Sequence, residues 1–120
     1  KGFQEKIKLG NLNARRDWGH AKDYVEAMWI MLQQKNPNDY VIGTGKDYSV
    51  DDFAKKAFSH VGLNYKDHII LDQNLIRPAE VDTLLADCAK AKKQLEWEPK
   101  ISFDELVYSM VEHDMEICSR

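Results

Sequence analysis

The chain has 120 residues, enough for one small domain with its own hydrophobic core. Hydrophobic residues make up 43% and charged residues 31%, and the formal net charge of −3 lacks the basic excess that nucleic-acid binding usually requires. No apolar run approaches the roughly 20 residues that cross a bilayer, and the start of the chain lacks the apolar core of a signal peptide, so we expect neither nucleic acid nor membrane as a partner.

The first third of the chain predicts a short strand and a long helix. Polar and apolar residues alternate over residues 6–9, as in a half-buried strand, and residues 10–13 break it. A helical repeat of apolar residues begins at Trp18 and ends before the turn at residues 36–38. Its wide apolar stripe predicts a helix that is buried on more than one side.

The middle of the chain predicts a strand, a polar turn and a second helix. Residues 40–43 are apolar without alternation, as in a strand that is covered on both faces in a parallel sheet. Ser49 and Asp52 have the spacing of a helix cap, and the apolar repeat that follows ends at Gly62. This order of elements indicates an α/β fold, mostly helical with a few short strands.

The last part predicts one extended segment and two helices. Residues 68–75 begin apolar, as in a short strand, and residues 77–82 form a loop because Pro78 disfavours helix before it. Asp87 is placed to cap a short helix that runs to Leu95, and Ser102 with Glu105 predicts the capping box of a final helix. No repeat, low-complexity run or linker divides the chain, so we expect residues 1–120 to form a single unit.

The cysteines and histidines give no sign of a disulfide or a metal site. Cys88 and Cys118 lie within helical patterns, and we expect both to be reduced, half-buried thiols of a cytoplasmic protein. The four histidines are scattered without the spacing of metal ligands, so a metal centre is not expected.

Arg16 is the first candidate for ligand binding. It stands just before the first predicted helix, where the planar guanidinium of an Arg can hold two phosphate oxygens at once. The alternative is that Arg16 and Asp17 only pair with each other or cap the helix. Local chemistry alone slightly favours that alternative.

The Arg-Pro-Ala-Glu run from Arg77 to Glu80 is the second candidate. Pro78 stiffens the loop, an Arg suits a phosphate, and a carboxylate suits ribose hydroxyls or the N–H edge of guanine. The alternative is a surface ion pair that contributes little to stability. Residues 43–45 (Gly-Thr-Gly) predict a structural turn, because the full glycine-rich phosphate-binding motif is absent.

Two longer runs resemble the GDP-mannose 4,6-dehydratases, a family of extended short-chain dehydrogenase/reductases. They are residues 7–12 (IKLGNL) and 16–25 (RDWGHAKDYV). Residues 40–45 with 49–50 resemble a late Rossmann strand and its helix, and residues 77–82, 87–91 and 95–99 resemble the family's sugar-nucleotide loop and C-terminal helix. The resemblance covers nearly the whole chain. It implies the C-terminal part of such an enzyme, comprising the substrate-binding region plus the last Rossmann helix and strand.

The resemblance implies a reaction whose catalytic residues are not found in these 120 residues. Enzymes of the family use NADP to oxidise C4 of GDP-mannose, eliminate water across C5–C6 and return hydride to C6. The product is GDP-4-dehydro-6-deoxy-D-mannose, in the GDP-fucose and deoxyhexose pathway. The dinucleotide fingerprint, the Tyr-x-x-x-Lys pair and the eliminating Thr and Glu are all missing. We therefore expect an N-terminal NADP-binding Rossmann domain outside this segment, and no catalysis by the segment alone.

What the resemblance transfers to this chain is substrate binding. Arg16 matches the Arg that contacts the diphosphate, while Arg77 and Glu80 match the residues on the diphosphate and guanosine sides. Leu9 and Asn11 match the strand end that passes the base. The expected partners are GDP-mannose or a related nucleotide sugar, and either the Rossmann portion or further copies of the chain in a homo-oligomer.

Three further expectations accompany this assignment. The segment between Gly62 and Leu75 is shorter than in many of these enzymes, which would alter how Arg77 is presented. One alternative keeps the fold but makes the chain part of an epimerase or dehydratase for another nucleotide sugar. A second alternative is a non-enzymatic interaction module that docks through its apolar helix and strand.

Overall fold

The computed structural model describes residues 2–119, in which short strands alternate with longer helices. The elements in chain order are β1 (Ile7–Leu9), β2 (Arg15–Asp17), α1 (Ala21–Leu32), β3 (Asp47–Ser49), α2 (Val50–His60), a 3-10 turn (Tyr65–Asp67), β4 (Ile69–Leu71), a second 3-10 turn (Gln73–Leu75), β5 (Thr83–Leu84), α3 (Ala89–Leu95) and α4 (Phe103–Ile117). The strands predicted at residues 6–9 and 68–75 are confirmed as β1 and β4.

The strands form two small sheets that join distant parts of the chain. β1 pairs in parallel with β4, so that Ile7 lies opposite Ile69. β2 is the centre of the other sheet, antiparallel to β3 and parallel to β5, with Arg16 opposite Leu84. Parallel neighbours need a long crossover connection, here supplied by the helices. Both sheets therefore bring the start of the chain beside residues from its second half.

The two predicted capping boxes are both present. The Ser49 hydroxyl accepts from the Asp52 N–H at 3.0 Å, and the Ser49 N–H donates back to the Asp52 carboxylate at 2.9 Å. Ser102 and Glu105 repeat the arrangement at the start of α4. Gly62, just beyond α2, has a φ of +74°, which a glycine adopts without steric cost.

The cap of α2 is expected to make part of the stability depend on pH. Hydrogen bonds from the Ser49 backbone N–H and hydroxyl lower the pKa of the Asp52 carboxyl below its usual value. A lowered folded-state pKa stabilises the protein above the unfolded-state pKa, and this contribution is lost as the pH falls through the folded-state value. Urea denaturation between pH 6 and roughly pH 3 should therefore show a smaller loss of stability for Asp52→Asn than for the parent. Parallel curves for the two proteins would contradict the contribution from Asp52.

Two clusters of side chains form the core. Ala27, Ala91, Leu95 and Trp97 are buried between α1, α3 and the segment after α3. A separate aromatic cluster joins the second sheet to α2 and α4, and its closest pair is Tyr48 and Phe103, stacked with ring centroids 4.0 Å apart. Trp18 and Phe53 complete this cluster. These contacts fix the second sheet relative to the helices.

A buried acidic residue ties α1 to the segment before α4. Asp23 is only 3% exposed, and one of its carboxylate oxygens accepts from the backbone N–H groups of Lys100 and Ile101 at 3.1 and 2.9 Å. Its backbone carbonyl accepts from the Trp97 ring N–H at 3.1 Å. A buried polar group is tolerated when it is hydrogen-bonded in this way.

The structure corrects the strand predicted at residues 40–43. These residues are irregular and lie in no sheet, although Tyr40 and Ile42 still pack against the core cluster. A strand is defined by hydrogen bonds to a neighbouring strand, and none of residues 2–119 provides one here. Asp47 and Tyr48, which fall in the predicted polar turn, pair with β2 instead.

The start of the first helix also differs from the prediction. The helix begins at Ala21 because the His20 side chain accepts from the Lys22 N–H at 3.1 Å and so caps it. Arg16 and Asp17, predicted as a loop before the helix, form part of β2. In α3 the capping residue is Cys88 rather than Asp87, although the Asp87 carboxylate accepts from the Ala89 N–H at 3.0 Å.

The predicted burial of α1 on more than one side is wrong for the part of the chain described. Val25, Met28, Trp29 and Leu32 are 61%, 59%, 64% and 82% exposed. The molecule is a slab of 53 × 39 × 18 Å with a radius of gyration of 17.2 Å, against about 14 Å for a compact domain of this length. A slab this thin cannot cover both faces of its helices.

Three findings concern the sulfur groups, metals and membranes. Both cysteines are free, as predicted, but only Cys88 is partly buried and Cys118 is exposed. Among residues 2–119, no cluster of His, Cys, Asp and Glu has the arrangement of a metal site. None of the helices in the same range is long and apolar enough to cross a bilayer.

Candidate functional site

Arg16 connects β2 to the loop that begins at Arg77. Its Nη1 donates to the Val81 carbonyl at 2.7 Å, and its Nη2 lies 3.4 Å from a Glu80 carboxylate oxygen. The Arg16 side chain is 28% exposed and the Glu80 side chain 21%. Partial burial of both partners makes this contact less screened than a surface pair.

Asn11 joins the same network from the turn between β1 and β2. Its side-chain amide donates to the second Glu80 oxygen at 3.2 Å. One oxygen of Glu80 is thus held by Arg16 and the other by Asn11. Three of the predicted binding residues, from three separate segments, therefore meet in one place.

Arg77 lies on the exposed loop just before this network. Within residues 2–119, its side chain makes no hydrogen bond or ion pair. The loop is fixed at both ends, however. Glu80 is held by Asn11 at one end, and at the other the Leu75 backbone packs so closely on Gly10 that a Cβ there would lie 2.6 Å from the Leu75 oxygen. Arg77 is therefore a free cation on an anchored loop.

Leu9 stands at the end of β1, beneath the start of that loop. Its carbonyl accepts from the Asp72 N–H at 2.9 Å, which directs the chain from β4 into the second 3-10 turn. Among the described residues, no hydrogen bond joins Leu9 to the Arg16–Glu80 pair. Its role in binding remains a prediction from the resemblance.

The neighbouring arginine is already occupied. The Arg15 side chain donates to both carboxylate oxygens of Asp47, in each case at 3.1 Å. These hydrogen bonds lower the pKa of Asp47 and raise that of Arg15. Of the two adjacent arginines, Arg16 therefore faces the loop, while Arg15 holds β2 to β3.

Asp17 has neither of the roles proposed for it from the sequence. It does not pair with Arg16 and it does not cap α1. Its carboxylate accepts instead from the N–H groups of Thr44 and Gly45 at 2.8 and 2.9 Å, from the Thr44 hydroxyl at 2.6 Å, and from the Ala86 N–H at 3.3 Å. Nothing in the sequence marked this contact, because most of the donors are backbone groups.

The same contacts test whether residues 43–45 fit a dinucleotide phosphate. They do not, because the amides that would bind a phosphate already donate to Asp17. The prediction of a structural turn at this position is consistent with these bonds. The Gly-Thr-Gly turn at residues 43–45 is thus not arranged as a phosphate loop.

The predicted binding residues lie apart from a cavity beside α3 and the segment that follows it. That cavity has a volume of about 560 Å³, is lined by residues that include Trp18, Tyr48, Cys88 and Trp97, and contains none of the predicted binding residues. Burial of the Cys88 thiol raises its pKa, so the cysteine is not an activated nucleophile.

Solved structures define the class of the fold. The chain superposes with a TM-score of 0.79 on RMD from Pseudomonas aeruginosa in complex with NADPH, at 16% identity, covering 90% of this chain and 35% of that one. It superposes with a TM-score of 0.81 on UDP-glucose 4-epimerase of Thermotoga maritima with UDP-glucose, at 24% identity, covering 94% of this chain and 36% of the other. The α/β fold is therefore that of the matching third of these two proteins, as predicted.

Sequence comparison narrows the class to a family. The profile of GDP-mannose 4,6 dehydratase matches residues 1–110. GDP-mannose 4,6 dehydratase 1 of Arabidopsis thaliana is 51% identical over 99% of this chain, and the human GDP-mannose 4,6 dehydratase is 47% identical over 97% of it. The chain belongs to this family of enzymes, and it spans about a third of the length of these curated relatives.

The lengths of these alignments bear on the segment that was predicted to be short. The Arabidopsis alignment needs 119 positions for 99% of this chain, whereas the human alignment needs 133 positions for 97%. The human protein thus has additional residues within the matched region. The location of those residues between Gly62 and Leu75 stays a prediction.

Proposed function

We propose that this chain binds the nucleotide diphosphate of GDP-mannose as the C-terminal segment of a GDP-mannose 4,6-dehydratase. In that enzyme GDP-mannose becomes GDP-4-dehydro-6-deoxy-D-mannose, on the route to GDP-fucose and other deoxyhexoses. The 120 residues supply substrate binding, and the catalytic residues belong to other parts of the protein. Membership of the family and the contact between Arg16 and Glu80 support this assignment.

The observation that carries the proposal is the network of Arg16, Glu80 and Asn11 beside Arg77. Without a ligand, the Glu80 carboxylate accepts one of the hydrogen bonds that the Arg16 guanidinium can donate. Arg16 still has N–H donors that make no hydrogen bond within residues 2–119, and Arg77 has all of its own. A diphosphate with two negative charges would accept from both guanidinium groups. Glu80, with its acceptor oxygens, suits the N–H groups of guanine or the ribose hydroxyls.

The cofactor of the proposed enzyme is NADP, which residues outside this segment would bind. The amides of Thr44 and Gly45 donate to Asp17, so we assign the segment no cofactor contact. When bound, NADP would supply the transient oxidation of the sugar. The residues of this chain would only hold the nucleotide and fix the direction from which the sugar enters.

Calorimetry with two nucleotide sugars tests the proposal. We expect the full-length protein to bind GDP-mannose at least about tenfold more tightly than UDP-glucose, because Glu80 pairs with the guanine edge and uracil lacks that pair of N–H donors. Mannose 1-phosphate serves as a control for sugar and phosphate contacts without the nucleoside. Equal affinity for both nucleotide sugars would favour the alternative of a different substrate.

We propose that the exposed apolar face of α1 packs against the Rossmann portion or against another copy of the protein. Val25, Met28, Trp29 and Leu32 are each more than half exposed, and apolar surface of this extent is characteristic of interfaces. The free cysteines accord with a cytoplasmic location. If the 120 residues are produced alone, they should self-associate in sedimentation. A stable monomer over a wide concentration range would contradict the proposal.

A further inference from the structure

We propose that Asp17 is a positioning residue for nucleotide binding, because it holds the strand that carries Arg16 against the segment that carries Glu80. Asp17 itself contacts no ligand in this role. The inference deepens the proposed function and rests on it, since it concerns how the binding site of that function is held in shape.

The first step is the position of Asp17 on β2. Arg16 and Asp17 are consecutive residues of one strand, so their side chains leave the sheet on opposite faces. Arg16 extends toward Glu80 and Val81, on the face where the nucleotide is proposed to bind. Asp17 extends to the other face, where it meets two loops.

The second step is the set of donors that surround its carboxylate. The loop between α1 and β3 supplies the Thr44 N–H, the Thr44 hydroxyl and the Gly45 N–H. Each of these donors lies 2.6 to 2.9 Å from an Asp17 carboxylate oxygen. The Ala86 N–H, beyond β5, lies 3.3 Å away. A charged acceptor with several donors makes stronger hydrogen bonds than a neutral pair.

The tight packing at Gly43 shows how closely these segments approach. A Cβ at this position would lie 2.4 Å from the Ala86 Cβ and 2.9 Å from an oxygen of Asp17. The glycine is needed here because of this approach, not because of an unusual backbone angle. The three segments therefore meet at Asp17 without room for adjustment.

The third step connects the hydrogen bonds at Asp17 to the positions of Arg16 and Glu80. The short run from Glu80 to Ala86 is held at one end by Arg16 and at the other by Asp17, with β5 pairing to β2 between them. If Asp17 releases Ala86, β5 is free to shift along β2, and Glu80 and Arg77 move relative to Arg16. Misplacement of binding groups by an ångström or so is enough to lose affinity.

The test compares Asp17→Asn with Asp47→Asn in the full-length protein. Asp47 is a matched control, because it faces Asp17 across the β2–β3 pair but its carboxylate binds Arg15. An Asn at position 17 keeps the shape but turns an N–H₂ group toward donors. We expect about a tenfold larger KM for GDP-mannose in Asp17→Asn with kcat nearly unchanged, and less than about twofold in Asp47→Asn.

A milder variant guards against a failure to fold. Thr44→Val removes only the hydroxyl that donates to Asp17 and keeps the backbone amides. We expect it to raise KM about two- to threefold, with near-parental thermal unfolding. An unchanged KM in Thr44→Val, together with equal KM values for the two Asp variants, would overturn the inference.

A double-mutant cycle with Arg16→Ala separates positioning from general stability. If Asp17 aligns Arg16 with the segment that carries Glu80, adding Asp17→Asn to Arg16→Ala should raise KM by clearly less than the roughly tenfold expected in the parent. A full additional tenfold rise would overturn the positioning role. If Arg16→Ala and Arg77→Ala both leave KM unchanged, the proposed function is wrong and this inference falls with it. If Arg16→Ala raises KM but Asp17→Asn does not, only the inference fails.

Discussion

Arg16→Ala in the full-length protein is expected to weaken GDP-mannose binding by about 1.5–3 kcal/mol, or roughly 10- to 150-fold in Kd. The change removes charge-assisted hydrogen bonds to the diphosphate. Among residues 2–119, it also leaves the Asn11 amide as the remaining hydrogen-bond donor to the Glu80 carboxylate. Calorimetric titration with GDP-mannose measures the effect directly, and Arg77→Ala should produce a loss of similar size.

Arg15→Ala is the matched control for this change. Arg15 is the adjacent residue on the same strand and carries the same charge, but its side chain is bound to Asp47 on β3. Its removal should leave the affinity for GDP-mannose within about twofold of the parent. Unchanged affinity in both Arg16→Ala and Arg77→Ala would show that the binding roles are wrongly assigned.

The largest effect on stability is expected from Asp23→Ala, at about 3 kcal/mol of unfolding free energy. The substitution leaves the buried N–H groups of Lys100 and Ile101 without their acceptor, and it removes the link between α1 and the start of α4. Urea denaturation of the protein, followed by tryptophan fluorescence, reports this region because Trp97 also bonds to Asp23.

Glu26→Gln supplies the control on the same helix. Glu26 pairs with the Lys100 side chain at 2.6 Å, but that pair lies on the surface and is screened by water and salt. We expect Glu26→Gln to change the unfolding midpoint little. A loss of less than about 1 kcal/mol for Asp23→Ala would show that water replaces the lost carboxylate.

Local signals in the sequence predicted the starts of α2 and α4 well, because the groups that cap these helices lie within a few residues of each other. Ser49 with Asp52 and Ser102 with Glu105 form the predicted caps. Strands depend on partners that are distant in sequence. The sequence therefore predicted a strand at residues 40–43, where no neighbour is present among the described residues, and missed β2, whose charged residues are paired with β3 and β5.

The residues proposed to bind substrate were predictable only in part, because their contacts also join segments that are distant in sequence. The sequence selected Arg16, Glu80 and Asn11, and the structure brings these three together. That selection came from the family resemblance more than from local chemistry, which slightly favoured a purely structural Arg16. Asp17 was missed because its partners are mainly amides of residues 44, 45 and 86, and a backbone amide leaves no mark in a sequence.

A crystal structure of the full-length protein with GDP-mannose tests substrate binding by this segment most directly. We expect the Arg16 and Arg77 guanidinium groups within about 3 Å of diphosphate oxygens, and a Glu80 oxygen within the same reach of the guanosine. Asp17 should keep its bonds to residues 44, 45 and 86 in that complex. A nucleotide bound elsewhere, with Arg16 still paired to Glu80 as in the free structure, would contradict the proposed role of this chain.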